Sequence, residues 1–185
     1  MCLLLVTCSN TAKYYRPQIT DTEKFFTIQI DDRVTTREKS QILQATQSWD
    51  EASNNTIHFN LIWNVKRGAQ FYREFSQPTK SGIFLWKVAE SERASVSAPG
   101  DIQGLFISAN KSTAFIFIFD ETLPNSDRFY QVALHEIGHL LGLEHNTNNK
   151  QAIMNHKVCG WCITAEDANN LCRIYGCSPK SQCSI

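Results

Sequence analysis

Apolar and polar residues alternate along Phe26-Thr27-Ile28-Gln29-Ile30, the period-two pattern of a strand with one buried face. The period then changes. Thr35-x-x-Glu38 has the form of a capping box, and Ile42, Ala45, Trp49 and Ala52 recur at helical spacing, which predicts a helix over 36–53. Thr56 to Val65 is rich in β-formers and Ile83 to Val88 is a short apolar run; both read as strands. The connection between them is polar and holds Gly68 and Pro78. Pro99-Gly100 marks a turn. Leu105-Phe106-Ile107 and Phe115 to Phe119 read as two more strands, paired around a turn at Asn110-Lys111. Leu123 to Asp127 breaks the pattern and supplies caps for a helix from about 127 to 142, which Gly142 is placed to end in a left-handed conformation. A last helix, 165–175, starts at Thr164 and closes at Gly176. Strand, helix, four strands, helix, loop, helix is the order of an α+β domain.

Composition adds little to this picture but removes some functions from it. The 185 residues fit one domain, and 42% hydrophobic with 19% charged residues suffices for a packed core. A formal net charge of +0 leaves no electrostatic case for nucleic acid or an anionic membrane as the main partner. No apolar run approaches the length of a membrane span. Residues 1–24 read as a separate piece: a polar arm, or the tail of an export signal whose basic start is missing. Met1-Cys2-Leu3-Leu4-Leu5-Val6-Thr7-Cys8 also has the look of a lipoprotein cleavage box, with a lipid anchor at Cys8, although Thr7 stands where a small residue is usual. The other reading of this stretch is a short buried strand with two incidental thiols. Residues 25–185 form the globular domain.

Five of the seven cysteines, Cys159, Cys162, Cys172, Cys177 and Cys183, crowd the C-terminal end. Such clustering points to disulfides and an oxidising, extracellular or cell-surface location. The alternative is a second, structural zinc that uses the Cys-x-x-Cys pair Cys159 and Cys162.

The chemistry is concentrated in His135-Glu136-Ile137-Gly138-His139-Leu140-Leu141-Gly142-Leu143-Glu144-His145. On a helix His135 and His139 project from one face, a turn apart, and two imidazoles so placed can share one Zn²⁺. Gly142 lets the chain turn back so that His145 becomes a third ligand. Three neutral nitrogens leave the ion its full charge and one open position, the make-up of a catalytic zinc. Glu136 sits beside the metal without binding it, where a carboxylate can take a proton from a water held by the ion. The bland reading is a helix with surface histidines. Chance alone would produce this five-residue pattern in a chain of this length only on the order of once in 100,000.

With this motif the chain resembles the metzincin zinc endopeptidases, and among them most closely the matrixins. The likeness runs over roughly residues 25–177 and is most specific from Phe129 to Met154. It implies a twisted mixed sheet of about five strands with a long backing helix, an active-site helix and a C-terminal helix. It implies one catalytic zinc, a methionine turn at Met154 beneath the histidines, and a monomer that hydrolyses protein or peptide substrates. An extended substrate would lie along the edge strand Gly104, Leu105, Phe106 and Ile107, and the loop 155–162, with Trp161, would wall the specificity pocket. Asp167 resembles the acidic residue that ties the last helix to the rest of the fold; it could equally serve only as an N-terminal helix charge. A calcium site near Asp120 or Glu121 follows from the family alone. The chain departs from the matrixin pattern at Asn146, after the third histidine, and at Asn155-His156, after the methionine. His156 stands where other metzincins place a tyrosine that reaches the zinc, which makes it a candidate transition-state stabiliser; its plain alternative is a solvent-facing loop residue. Two rival functions remain at this stage. One is a zinc hydrolase of a non-peptide substrate. The other is a zinc-stabilised, non-catalytic binding module, against which Glu136 speaks.

Overall fold

Thr35 does cap the first helix: its hydroxyl accepts from the Glu38 amide, and the Glu38 carboxylate returns to the Thr35 amide at 2.7 Å. The computed structural model describes residues 24–66, 81–96, Ala98, 102–110, 112–119, 126–155 and 162–183. Among them lie β1 (Phe25–Asp31), α1 (Thr36–Ala52), β2 (His58–Val65), β3 (Gly82–Val88) and a short α2 (Glu90–Arg93) continued by a 3-10 turn at Ala94–Val96. Then come β4 (Gly104–Asn110), β5 (Thr113–Phe119), α3 (Ser126–Leu140) and α4 (Ala165–Tyr175). The α+β class, the five strands and the three principal helices agree with the sequence pattern. Pro99-Gly100, Lys111, the arm before Lys24, and with it Cys8, lie outside the described residues.

The strands form one mixed sheet in the order β2-β1-β3-β5-β4. β1 pairs in parallel with β2 and β3, β3 pairs in parallel with β5, and β4 runs antiparallel to β5 at the sheet's edge. Alternation decides which side chains face the helices. Ile28, Ile30, Leu85, Ile116 and Ile118 point to one side, where Ile42 and Trp49 of α1 and Leu134 and Ile137 of α3 complete the main core. The opposite face carries a second cluster in which Phe84 stacks on Trp86 at 5.7 Å and on Phe115 at 5.4 Å. β5 is buried along its whole length, as expected of a strand covered on both faces.

Helix α1 is fastened to the sheet by charge as well as packing. Lys87 of β3 meets Glu38 at 2.8 Å. Burial alone would raise the Glu38 carboxyl, but the Lys87 ammonium and the Thr35 donors outweigh it and hold the group below its ordinary value. Helix α2 is an element the sequence pattern does not announce, because four residues are too few to show a period. Arg93, only 4% exposed, holds it in place. Its guanidinium donates to Glu90 at 2.9 Å and to the Ile102 carbonyl at 3.0 Å, and lies 4.3 Å from the Phe119 ring.

Two disulfides, Cys162–Cys183 and Cys172–Cys177, close the C-terminal region. Cys162 is therefore committed to a disulfide, which removes the Cys159–Cys162 zinc pair; Cys159 itself lies outside the described residues. The disulfides point to an oxidising environment; no helix among the described residues is long and apolar enough to cross a membrane.

Candidate metal centre

Helix α3 carries the first two histidines on its buried face, His135 0% and His139 4% exposed. The helix stops at Leu140, two residues short of the predicted end, because Gly142 adopts φ 85°. The Gly142 amide donates to the His139 carbonyl at 2.9 Å and the Leu143 amide to the Gly138 carbonyl at 3.0 Å. That pair of bonds is the Schellman closure of a helix, which only a left-handed residue permits without cost. The reversal brings His145 back over the helix end.

All three Nε2 atoms converge. His135 and His139 are 3.1 Å apart, His139 and His145 are 3.1 Å apart, and His135 and His145 are 3.3 Å apart. On the far side of its ring, His135 Nδ1 lies 2.7 Å from the Ile153 carbonyl, and His139 Nδ1 lies 2.8 Å from the Leu143 carbonyl. A carbonyl can only accept, so both Nδ1 atoms carry the proton and both Nε2 atoms present lone pairs. Lone pairs aimed at one point repel unless a cation lies between them. A tetrahedral ion with bonds of about 2.0–2.1 Å sets its ligand nitrogens roughly 3.3 Å apart, close to the observed triangle. Burial, then the neighbouring His135 and His145, hold His139 well below the ordinary imidazole range, so it stays in the neutral form a metal requires. These three are the one group of histidines, cysteines or carboxylates among the described residues whose ligand atoms converge in this way.

The matrixin family model matches residues 19–176. The chain belongs to the matrixin family. No curated protein sequence matches it. Among solved structures, metalloproteinase-II from Bacteroides fragilis superposes with a TM-score of 0.50 at 14% identity, over 81% of this chain and 52% of that one. The chain thus spans about half the length of that protein. Archaemetzincin from Methanopyrus kandleri gives a TM-score of 0.48 at 12% identity, over 82% of this chain and 95% of that one. At 14% identity the likeness to the Bacteroides fragilis protein is one of fold.

The rest of this matrixin site is built around the histidines. Met154, 1% exposed, lies under α3 in a turn closed by the Asn155 amide on the Ala152 carbonyl at 3.0 Å. Gly138 has no room for a side chain: a Cβ there would collide with the Met154 sulfur and lie 3.0 Å from the Trp49 ring. Trp49 in turn donates its indole N–H to the Leu134 carbonyl at 2.9 Å, holding α1 against the residue before His135. Asp167 is more than a helix-end charge. Its Oδ2 accepts from the Ile153 amide at 3.2 Å as well as from the Thr164 amide and hydroxyl. Burial raises its carboxyl above the ordinary value despite those donors. Asn146, the first departure from the matrixin pattern, receives the Asn148 and Asn149 amides on Oδ1. Asn155, the second, donates to the Asn149 carbonyl at 3.0 Å. The two asparagines thus fix the turn that follows His145.

Glu136 is 2% exposed and faces the start of β4. A Cβ on Gly104 would lie 2.5 Å from its Oε1 and 2.6 Å from Val132, so the strand approaches the carboxylate as closely as bare backbone allows. Along β4 the side chains divide. Phe106 turns toward α3, its ring 6.4 Å from that of His139, whereas Leu105 and Ile107 join the opposite face. His156, Trp161, Asp120 and Glu121 lie outside the described residues. What sequence reasoning misses is the set of backbone acceptors at Leu143 and Ile153. The one signal for the packing around them is Gly138, a residue that costs about 1 kcal/mol relative to alanine inside a helix and so implies a close neighbour.

Proposed function

We propose that this chain is a zinc-dependent endopeptidase in which His135, His139 and His145 hold one zinc and Glu136 is the catalytic base. The observation that carries the reading is the convergence of three Nε2 atoms, two of them unprotonated because their Nδ1 atoms donate to carbonyls, beside a buried carboxylate that is not one of the converging groups. Zinc at such a centre polarises a carbonyl and lowers the pKa of a coordinated water. Glu136 then takes the proton of the attacking water and passes it to the departing amine. Its burial against Gly104 shields it from bulk solvent and fixes its direction. β4 ends the sheet order among the described residues, and in this reading its outer edge accepts an extended peptide through main-chain hydrogen bonds. The disulfides support an exported enzyme acting on protein or peptide substrates outside the cytoplasm.

The test is incubation of the purified chain with a peptide library, with and without a zinc chelator. Cleavage at internal bonds, abolished by the chelator and restored by zinc, is the expected result. Cleavage indifferent to the chelator, or none at all with zinc bound, would overturn the reading. A narrower prediction concerns Gly104→Ala. The added methyl must displace the Glu136 carboxylate, and a misplacement of this kind costs turnover up to about 10²-fold. Zinc content should stay at one per chain; unchanged turnover would show that Glu136 tolerates the shift.

A further inference from the structure

Among the described residues a hydrogen-bonded path runs from His135, the proposed zinc ligand, to the Cys162–Cys183 disulfide. Its first link is the His135 Nδ1–H on the Ile153 carbonyl at 2.7 Å. Its second is the Ile153 amide, which donates to the Cys162 carbonyl at 3.1 Å as well as to Asp167. Ala152 and Cys162 also form a β-bridge there. Cys162 is bonded to Cys183. The strap that carries Cys183 is itself fastened to the body of the domain. The Gln182 amide donates to the Ile163 carbonyl at 3.1 Å, its side chain donates to the Ser48 carbonyl at 2.7 Å, and the Lys180 amide donates to the Ala52 carbonyl at 3.0 Å. Residues 162 and 163 are thus held on one side by the methionine turn and on the other by a strap anchored to α1. Both sulfurs' residues are only half-buried, within reach of a small reductant. By contrast, Cys172–Cys177 spans a sequence separation of 5 across the C-terminal end of α4, where the Gly176 and Cys177 amides both donate to the Cys172 carbonyl.

We propose that Cys162–Cys183 is a redox-sensitive positioning device for the zinc ligand His135. While the disulfide is closed, the Cys162 carbonyl is fixed, Ile153 is held between it and Asp167, and the Ile153 carbonyl keeps His135 in the tautomer and orientation that present Nε2 to the metal. Reduction by a dithiol transfers two electrons and two protons. The S–S bond of Cys162–Cys183 breaks, two thiols form, and the dithiol closes to its own disulfide. The strap is then tethered by hydrogen bonds alone, the Cys162 carbonyl is released to move, and His135 loses part of its orientation. Outer-shell partners of metal histidines are worth about 10–100-fold in affinity. A loosened partner should cost near the lower end of that range.

The inference rests on the proposed zinc site, and the experiment separates the two. Zinc affinity is measured by competition with a chromogenic chelator for the full chain, for Cys162→Ala/Cys183→Ala and for Cys172→Ala/Cys177→Ala. A full chain that binds no zinc would sink the site itself. With zinc bound by the full chain, the expected result is a roughly tenfold weaker affinity in the first variant and none in the second. Equal affinity in all three, or equal loss in both variants, would overturn the positioning role. Should the first variant fail to fold, the zinc-loaded full chain is titrated with a limiting dithiol and its disulfides are mapped by mass spectrometry. Zinc released to the chelator should follow opening of Cys162–Cys183. Release that follows Cys172–Cys177, or that precedes both, would refute the proposal.

Discussion

Glu136→Ala is expected to lose about 10²–10⁴-fold in turnover while it still binds one zinc per chain, the range typical for removing a general acid–base group. The site explains both halves of that outcome. Glu136 follows the first histidine on α3, so its side chain leaves the helix about a quarter-turn away from the face on which His135 and His139 sit, and its oxygen rests against Gly104 instead of joining the three nitrogens. Steady-state kinetics and metal analysis on the same preparation check both parts. Near-normal turnover would mean that another group takes the proton.

For His139→Ala the expected result is loss of the metal and, with it, of activity. His139 is one corner of the triangle, 3.1 Å from each of the other two Nε2 atoms, and the two nitrogens that remain cannot enclose an ion. The fall in affinity should exceed the roughly 10–100-fold that outer-shell partners contribute. The substitution also orphans the Leu143 carbonyl, which accepts from His139 at 2.8 Å, and empties space beside Phe106. A buried acceptor without its donor costs about 1–3 kcal/mol. Zinc stoichiometry after dialysis and a denaturant midpoint measure the two effects. Retention of zinc at full affinity would exclude His139 from the ligand set.

The converging histidines are legible in the sequence because one helical period and one left-handed glycine fix their geometry within a short window. The interactions that orient them are not, because the acceptors at Leu143 and Ile153 are backbone carbonyls, and every residue type supplies one. Asp167 stands between these cases. Its place in the first turn of α4 is plain from the pattern, but its bond to the Ile153 amide crosses to a separate loop and depends on the tertiary fold. Sheet order is likewise invisible to a period-two pattern, which says which face a side chain takes and nothing about the neighbouring strand. Gly104 reads as an ordinary strand start until Glu136 is seen against it. Met154 packs against the helix at Gly138, a contact whose one signal in the sequence is the helix-weakening glycine itself.

The sheet order has a consequence for how the chain can be assembled. β4 precedes β5 in the chain, yet among the described residues it meets the sheet through β5 alone. It cannot be added strand by strand in the order of synthesis. The local event is the β4–β5 hairpin, a structure of the kind that closes in about 1–10 μs. Docking that hairpin requires β5 to pair in parallel with β3 across the long connection that contains α2, the slower kind of contact. Until then the apolar faces of Phe115, Phe117 and Ile116 have no cover, and Gly104 has not reached Glu136. The edge strand and the carboxylate beside it are thus completed in one late step, and a chain stalled before it would expose its most apolar strand to other chains.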